Sequence, residues 1–150
     1  MSREKGNSKQ ILARIRHRIK CLLVKFADLI EYAWALEQGQ GKGYHCHLLL
    51  VYRGHEHHKP YGIVKAIGEL WSDITANQGC YFNCHDPDYL QQFEDMDRLG
   101  IGMIYRDDPV QVKKMLQTVK YLVRPEKEDQ HLRVKISKKM KTFGISQRRS

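Results

Sequence analysis

The sequence predicts an α+β domain with a central antiparallel β-sheet and helices packed on one face of that sheet. Apolar residues recur at the three- and four-residue steps of an amphipathic helix over residues 8–26 and again over residues 107–124. Between them, residues 32–38 and 44–52 are aromatic or apolar and flank a glycine-rich stretch, which is the pattern of a β-hairpin. A chain of 150 residues has room for one ordinary core. We find no internal repeat, so we expect a single domain over 1–150.

The first predicted helix has Ser8 as its N-cap, because a serine side chain accepts hydrogen bonds from the unpaired N–H groups of a first turn. Its apolar face consists of Ile11, Leu12, Ile15, Ile19, Leu22, Leu23 and Phe26. The opposite face carries basic side chains, among them Arg14 and Arg18. The helix is therefore expected to pack on the sheet and to leave its charges in solvent.

The middle of the chain predicts weaker elements. A polar loop over 53–60 precedes an amphipathic helix with the apolar face Ile63, Ile67, Leu70, Trp71 and Ile74. Residues 79–84 predict a short strand, residues 89–98 a weak helix and residues 99–107 a further strand. The last 25 residues are basic and polar, and Phe143-Gly144 is their only packing signal.

The second strong helix starts at Asp107-Asp108-Pro109 and runs to about Arg124, where Pro125 stops it. Its apolar face consists of Val112, Met115, Leu116, Val119, Leu122 and Val123. Tyr121 lies away from that face, in line with Lys114 and with Arg124 one turn on. Basic groups in such positions could stabilise a phenolate or hold a phosphate, so Tyr121 is a candidate nucleophile. An ordinary surface tyrosine is the alternative.

Charge is unevenly distributed along the chain. Residues 1–25 hold eight Lys and Arg against one acid, residues 26–110 six against thirteen, and residues 111–150 twelve against three. A polyanion such as nucleic acid would be attracted to the two basic ends. Simple solvation of basic helices and a tail is the alternative. The side chains that we expect to follow a nucleic-acid backbone are Arg14, Arg18, Lys113, Lys114, Lys138 and Lys139.

Several classes of protein are not expected. No apolar stretch approaches the roughly 20 residues of a membrane span, and we find no signal peptide. The four cysteines have no disulfide-framework spacing, so we expect a reduced, cytoplasmic protein. Residues 1–7 and about 126–150 are expected to be flexible in part.

The most informative motif is His45-Cys46-His47, directly before an apolar run. Alternate residues of a strand lie on the same face, so both imidazoles point to one side. If residues 39–43 form the hairpin loop, Glu37 lies opposite His45 on that side. Two imidazoles and a carboxylate suit Mn²⁺, Mg²⁺ or Zn²⁺. A one-residue slip of the register would turn Glu37 away.

Five stretches together resemble a known family. They are Trp34-Ala35-Leu36-Glu37-Gln38, Gly43-Tyr44-His45-Cys46-His47-Leu48, Cys84-His85-Asp86-Pro87-Asp88-Tyr89, Val119-Lys120-Tyr121-Leu122-Val123-Arg124 and Thr142-Phe143-Gly144-Ile145-Ser146. In this order they resemble the HUH superfamily of single-strand DNA nickases. More narrowly, they resemble the replication-initiation proteins of filamentous phages, the inovirus gene-two family and its prophage relatives.

The resemblance implies the HUH fold and metal-dependent nicking and joining of single-stranded DNA at a replication origin. It implies His45 and His47 as metal ligands, Glu37 as the third ligand, Tyr121 as the nucleophile, and Mn²⁺ or Mg²⁺ as the cofactor. With Tyr121 it implies Arg124 as a catalytic residue, which stands where the family usually has Lys and keeps the positive charge. Host replication machinery is a further expected partner, whereas a membrane and a small-molecule substrate are not expected.

Two features keep other functions open. The family usually has a strand before the first helix, so this sheet is expected to lack one strand. That departure, together with Arg124, favours a catalytically degenerate nucleic-acid-binding module as the alternative. A metal-binding protein without nucleic acid is the third hypothesis, which the basic ends of the chain disfavour.

Overall fold

The structure is a computed structural model that describes residues 2–24, 29–39, 43–122 and 137–146. Over these residues the chain is α+β, with four helices and one three-stranded antiparallel sheet. None of the helices in this described part combines the length and apolar character that crossing a bilayer requires. The chain divides into two compact units, Met1–Val51 with Leu122–Ser150 and Tyr52–Tyr121.

The first unit contains the sheet. Strand β1 is Glu31–Gly39, β2 is Gly43–Val51 and β3 is Phe143–Ile145, in the order β2-β1-β3. The predicted hairpin is confirmed with its register, because Glu37 pairs with His45. Backbone position 43 has a φ of +68°, which a glycine adopts without strain where the chain enters β2.

Strand β3 was not predicted, and it closes the other side of β1. Its two ends are fixed by backbone hydrogen bonds: Leu36 N–H donates to Thr142 O at 2.8 Å, and Ser146 N–H donates to Tyr32 O at 2.8 Å. Gly144 lies against the indole of Trp34, and a Cβ at position 144 would meet the indole Nε1 at 2.4 Å. Glycine at this position is therefore what lets the strand approach β1.

Helix α1, Ser2–Val24, packs on the sheet face that carries Leu36. The centre of this core is the group Leu12, Leu36 and Met140, and partly buried hydrophobic side chains surround it: Ile15, Trp34, Tyr44 and Cys46. The prediction of Ser8 as N-cap was wrong, because α1 starts at Ser2 and Ser8 lies inside it. Arg3, Glu4 and Lys5 are good helix formers, so the helix extends on the N-terminal side of Ser8.

Leu12→Ala is expected to lower the free energy of unfolding by about 2–5 kcal/mol, because truncating a fully buried leucine removes apolar contacts and leaves a cavity. Leu12 is 0% exposed, whereas its neighbour Ile11 is 38% exposed. Chemical denaturation of Leu12→Ala and of Ile11→Ala measures the free energy of unfolding of each variant. A Leu12 variant that loses no more stability than Ile11→Ala would contradict this packing.

The second unit is built from helices α2, Pro60–Ile74, α3, Pro87–Asp95, and α4, Pro109–Leu122. Asp86 caps α3, because its Oδ1 accepts from the backbone N–H groups of Asp88 and Tyr89. Asp108 caps α4 in the same way, through the N–H groups of Val110 and Gln111. The predicted start of the last helix is confirmed.

The two strands predicted in this unit do not form. Residues 79–83 contact α2 and its C-terminal end: Gly79 N–H donates to Thr75 Oγ1, the Tyr81 ring lies against Gly68, and Asn83 Nδ2 donates to Tyr61 O. Residues 99–107 contain bends and a turn. Of the tail expected to be flexible in part, residues 137–146 include β3, while 126–136 and 147–150 lie outside the described residues.

Candidate metal centre

Strand alternation places the predicted ligands on one face of the hairpin. Ala35 pairs with His47 and Glu37 pairs with His45, so these four side chains lie on the same side of the sheet. Leu36 and Cys46 form the intervening pair and point to the opposite side, into the core under α1. One backbone register therefore fixes both the core and the ligand cluster.

Glu37, His45 and His47 form a compact cluster. Glu37 Oε2 lies 3.2 Å from His45 Nε2 and 3.2 Å from His47 Nε2. The imidazole rings stand nearly perpendicular, at 87°, with their centroids 5.3 Å apart. Glu37 is only 9% exposed, whereas about a third of each histidine side chain reaches solvent. The carboxylate thus lies at the base of the cluster and the imidazoles at its opening.

The cluster fits a divalent metal ion. Each of the three residues offers one ligand atom, and all three atoms lie within 4.8 Å of one another. No other group of this kind is found among the residues that the structure describes. The contacts to Oε2 are hydrogen bonds only when each Nε2 carries hydrogen, and a metal would take the place of those protons. Two nitrogens and one oxygen leave coordination positions for water or substrate.

Cys46 does not belong to the ligand set, although it lies between the two histidines. Burial, and after it the charge of Glu37, raises the pKa of the Cys46 thiol to about 12. The thiol therefore stays protonated at neutral pH, and it points into the core. A neutral thiol that faces the core is neither a good nucleophile nor a good metal ligand.

Tyr121 lies near the end of α4 in the second unit and is 47% exposed. It also has a neighbour that the sequence did not reveal. Burial raises the pKa of Tyr89, and the charges of Cys84 and Tyr121 raise it further. Tyr89 is held in place by the rings of Phe82 and Phe93, each with its centroid 4.9 Å away.

The structure separates the predicted basic residues by their surroundings. Lys114 is paired with Asp97, so a phosphate would compete with that carboxylate for it. Arg18 on α1 is partly buried, and Arg124 lies outside the described residues. The remaining predicted side chains are exposed: Arg14, Lys113, Lys138 and Lys139.

One residue of this face was missed as a functional candidate. Phe143 pairs with Ala35, so it lies on the same face of the sheet as the metal cluster. The sequence indicates Phe143 as a packing residue within one of the five resembling stretches, and a three-residue strand shows no periodicity from which its face could be assigned.

In comparisons with known proteins, no family model, no curated protein and no solved structure matches the chain.

Proposed function

We propose that this protein nicks and joins single-stranded DNA in a metal-dependent reaction of the HUH type, and so initiates rolling-circle replication of a phage or other mobile element. The Glu37–His45–His47 cluster carries the proposal. It combines a buried carboxylate with two partly exposed imidazoles on one strand face. That is a donor set suited to Mn²⁺ or Mg²⁺ with room for a phosphate oxygen.

The proposed reaction uses Tyr121 as the nucleophile. The phenol oxygen attacks a backbone phosphorus and the P–O3′ bond breaks. The products are a 5′-phosphotyrosine and a free 3′-hydroxyl that takes up the proton lost by the phenol. A divalent ion at Glu37, His45 and His47 would supply positive charge to the phosphate. The free 3′-hydroxyl can prime synthesis, and attack by such a hydroxyl on the phosphotyrosine rejoins a strand.

Charge supports DNA as the substrate. The unit that contains the cluster holds eighteen Lys and Arg against seven Asp and Glu, whereas the unit that contains Tyr121 holds eight against ten. A polyanion is therefore attracted to the unit that carries the candidate metal site. We expect the protein to act in the cytoplasm, where replication machinery of the host would extend the primer.

A DNA-binding module without cleavage is the second candidate, and Arg124 favours it. The resembling family usually has Lys at this position, and the planar guanidinium of Arg differs from an ammonium group in shape and in the directions of its hydrogen bonds. This candidate keeps the affinity for single strands and lacks the covalent step.

Incubation of the protein with Mn²⁺ and a labelled library of single-stranded oligonucleotides tests the proposal. We expect a protein–DNA band that survives a denaturing gel, because the phosphotyrosine is covalent, and that does not form when a chelator removes the metal before DNA is added. Salt-sensitive binding without this band would favour the binding module. If the protein shows no binding and forms no covalent band, both candidates are contradicted.

A further inference from the structure

Phe143 lies on the metal-binding face of the sheet, in the same row as one of the proposed ligands. Phe143 pairs with Ala35, and Ala35 pairs with His47 on its other side. The three residues thus form one row across the sheet, from β3 through β1 to β2. With neighbouring strands about 4.8 Å apart, the backbones of Phe143 and His47 are separated by roughly 10 Å.

The Phe143 side chain is accessible and its backbone is well fixed. It is 38% exposed, although an aromatic ring in a short strand usually gains stability by being covered. The strand is fastened to β1 on either side of it, by the bond from Leu36 N–H to Thr142 O and by two bonds between Tyr32 and Ser146. An exposed ring on such a backbone can bind a flat partner with little further loss of conformational entropy.

The chain around Phe143 is basic. Lys138, Lys139 and Lys141 precede it, and all three are exposed. No Asp or Glu occurs between residues 137 and 146. An aromatic ring beside cations is the combination that binds single-stranded nucleic acid, because bases stack on the ring while phosphates contact the cations. An aliphatic partner would contact only the ring, and an acidic partner without flat rings would contact only the lysines.

We propose that Phe143 stacks on an unpaired base of a DNA strand that crosses this face of the sheet, with Lys138, Lys139 and Lys141 contacting its phosphates. The inference rests on the proposed function and assigns part of its substrate site. The distance of about 10 Å from Phe143 to His47 corresponds to roughly three nucleotides at 3.4 Å each along a stacked strand. Phe143 would thereby help to set which phosphate reaches the cluster.

The affinity for a labelled 12-nucleotide oligothymidylate, measured by fluorescence anisotropy without added metal so that no cleavage occurs, tests the inference. Phe143→Leu keeps an apolar side chain and removes the ring, and we expect it to weaken binding about tenfold, or roughly 1.4 kcal/mol. Phe143→Trp should bind within about twofold of the wild type, because tryptophan also stacks on bases.

Phe82→Leu is the matched control, since Phe82 is 64% exposed but belongs to the other, net acidic unit. We expect no change in its affinity for DNA. A second measurement leaves the protein unaltered. An oligonucleotide of the same length with abasic sites should bind the wild type about tenfold more weakly, and Phe143→Leu should bind both oligonucleotides equally.

Equal affinity of Phe143→Leu and wild type, or a loss for Phe143→Trp as large as for Phe143→Leu, would overturn the inference. So would a wild type that does not distinguish the abasic oligonucleotide. The covalent band reports separately on nicking. Binding that depends on Phe143, without a covalent band, would support the stacking site and contradict the nicking activity. A covalent band together with binding that does not depend on Phe143 would support the nicking activity and contradict the stacking site.

Discussion

Tyr121→Phe is expected to abolish the covalent protein–DNA band and to leave the affinity for single-stranded DNA within about twofold of the wild type. The substitution removes one hydroxyl oxygen and keeps the ring. Without that oxygen no phosphotyrosine can form, so the loss should be complete and not gradual. Because the side chain is 47% exposed, removal of the hydroxyl should also have little effect on stability.

Tyr105→Phe is the control for this prediction, because Tyr105 is 65% exposed and belongs to the same unit as Tyr121. It should form the covalent band at the wild-type rate. The measurement is a time course on denaturing gels, together with anisotropy for binding. A covalent band in Tyr121→Phe would identify another nucleophile, and a strong loss of DNA binding would show that the hydroxyl acts in recognition.

Glu37→Gln is expected to weaken Mn²⁺ binding at least about 100-fold, which is roughly 2.8 kcal/mol at 1.4 kcal/mol per factor of ten. The amide preserves the shape of the side chain but removes the negative charge that lies 3.2 Å from both histidine nitrogens. Charge on the ligand set is a main determinant of affinity for hard divalent ions. Isothermal titration with MnCl₂ measures the change directly.

Thermal unfolding gives a second readout of the same site. A metal that binds only the folded state raises the melting temperature of the wild type, and this increase should be absent in Glu37→Gln. Glu31→Gln is the matched control, because Glu31 belongs to the same strand and face but is exposed. A Glu37→Gln protein that binds Mn²⁺ as tightly as Glu31→Gln would remove Glu37 from the ligand set.

The hairpin and its cluster could be predicted because their signal is local. Gly39 pairs with Gly43, the two ends of the predicted loop, so Glu37 lies opposite His45 as the count of residues along the chain predicted. The alternation of His45, Cys46 and His47 then divides ligands from core. The predicted α+β class is likewise confirmed. The HUH identity of the fold, its metal and its substrate stay predictions.

The sequence did not predict the elements whose structure depends on contacts between residues far apart in the chain or on contacts of side chains. Strand β3 is three residues long and pairs with a strand more than a hundred residues earlier, so neither length nor periodicity reveals it. Residues 79–83 have the composition of a strand, but their partners are groups of α2 such as Thr75 Oγ1. The start of α1 was placed too late because a good capping residue, Ser8, can also lie inside a helix.

The shared register of core and cluster has a consequence for how this protein tolerates mutation. Moving β2 by one residue relative to β1 would turn Cys46 out of the core and turn His45 and His47 into it, away from Glu37. Such a change would lower stability and break up the candidate metal cluster together. Sequence variants of the hairpin are therefore expected to divide into those that fold with the cluster intact and those that aggregate or are degraded, with few folded proteins between them. Selection for solubility alone would then preserve the geometry of the site.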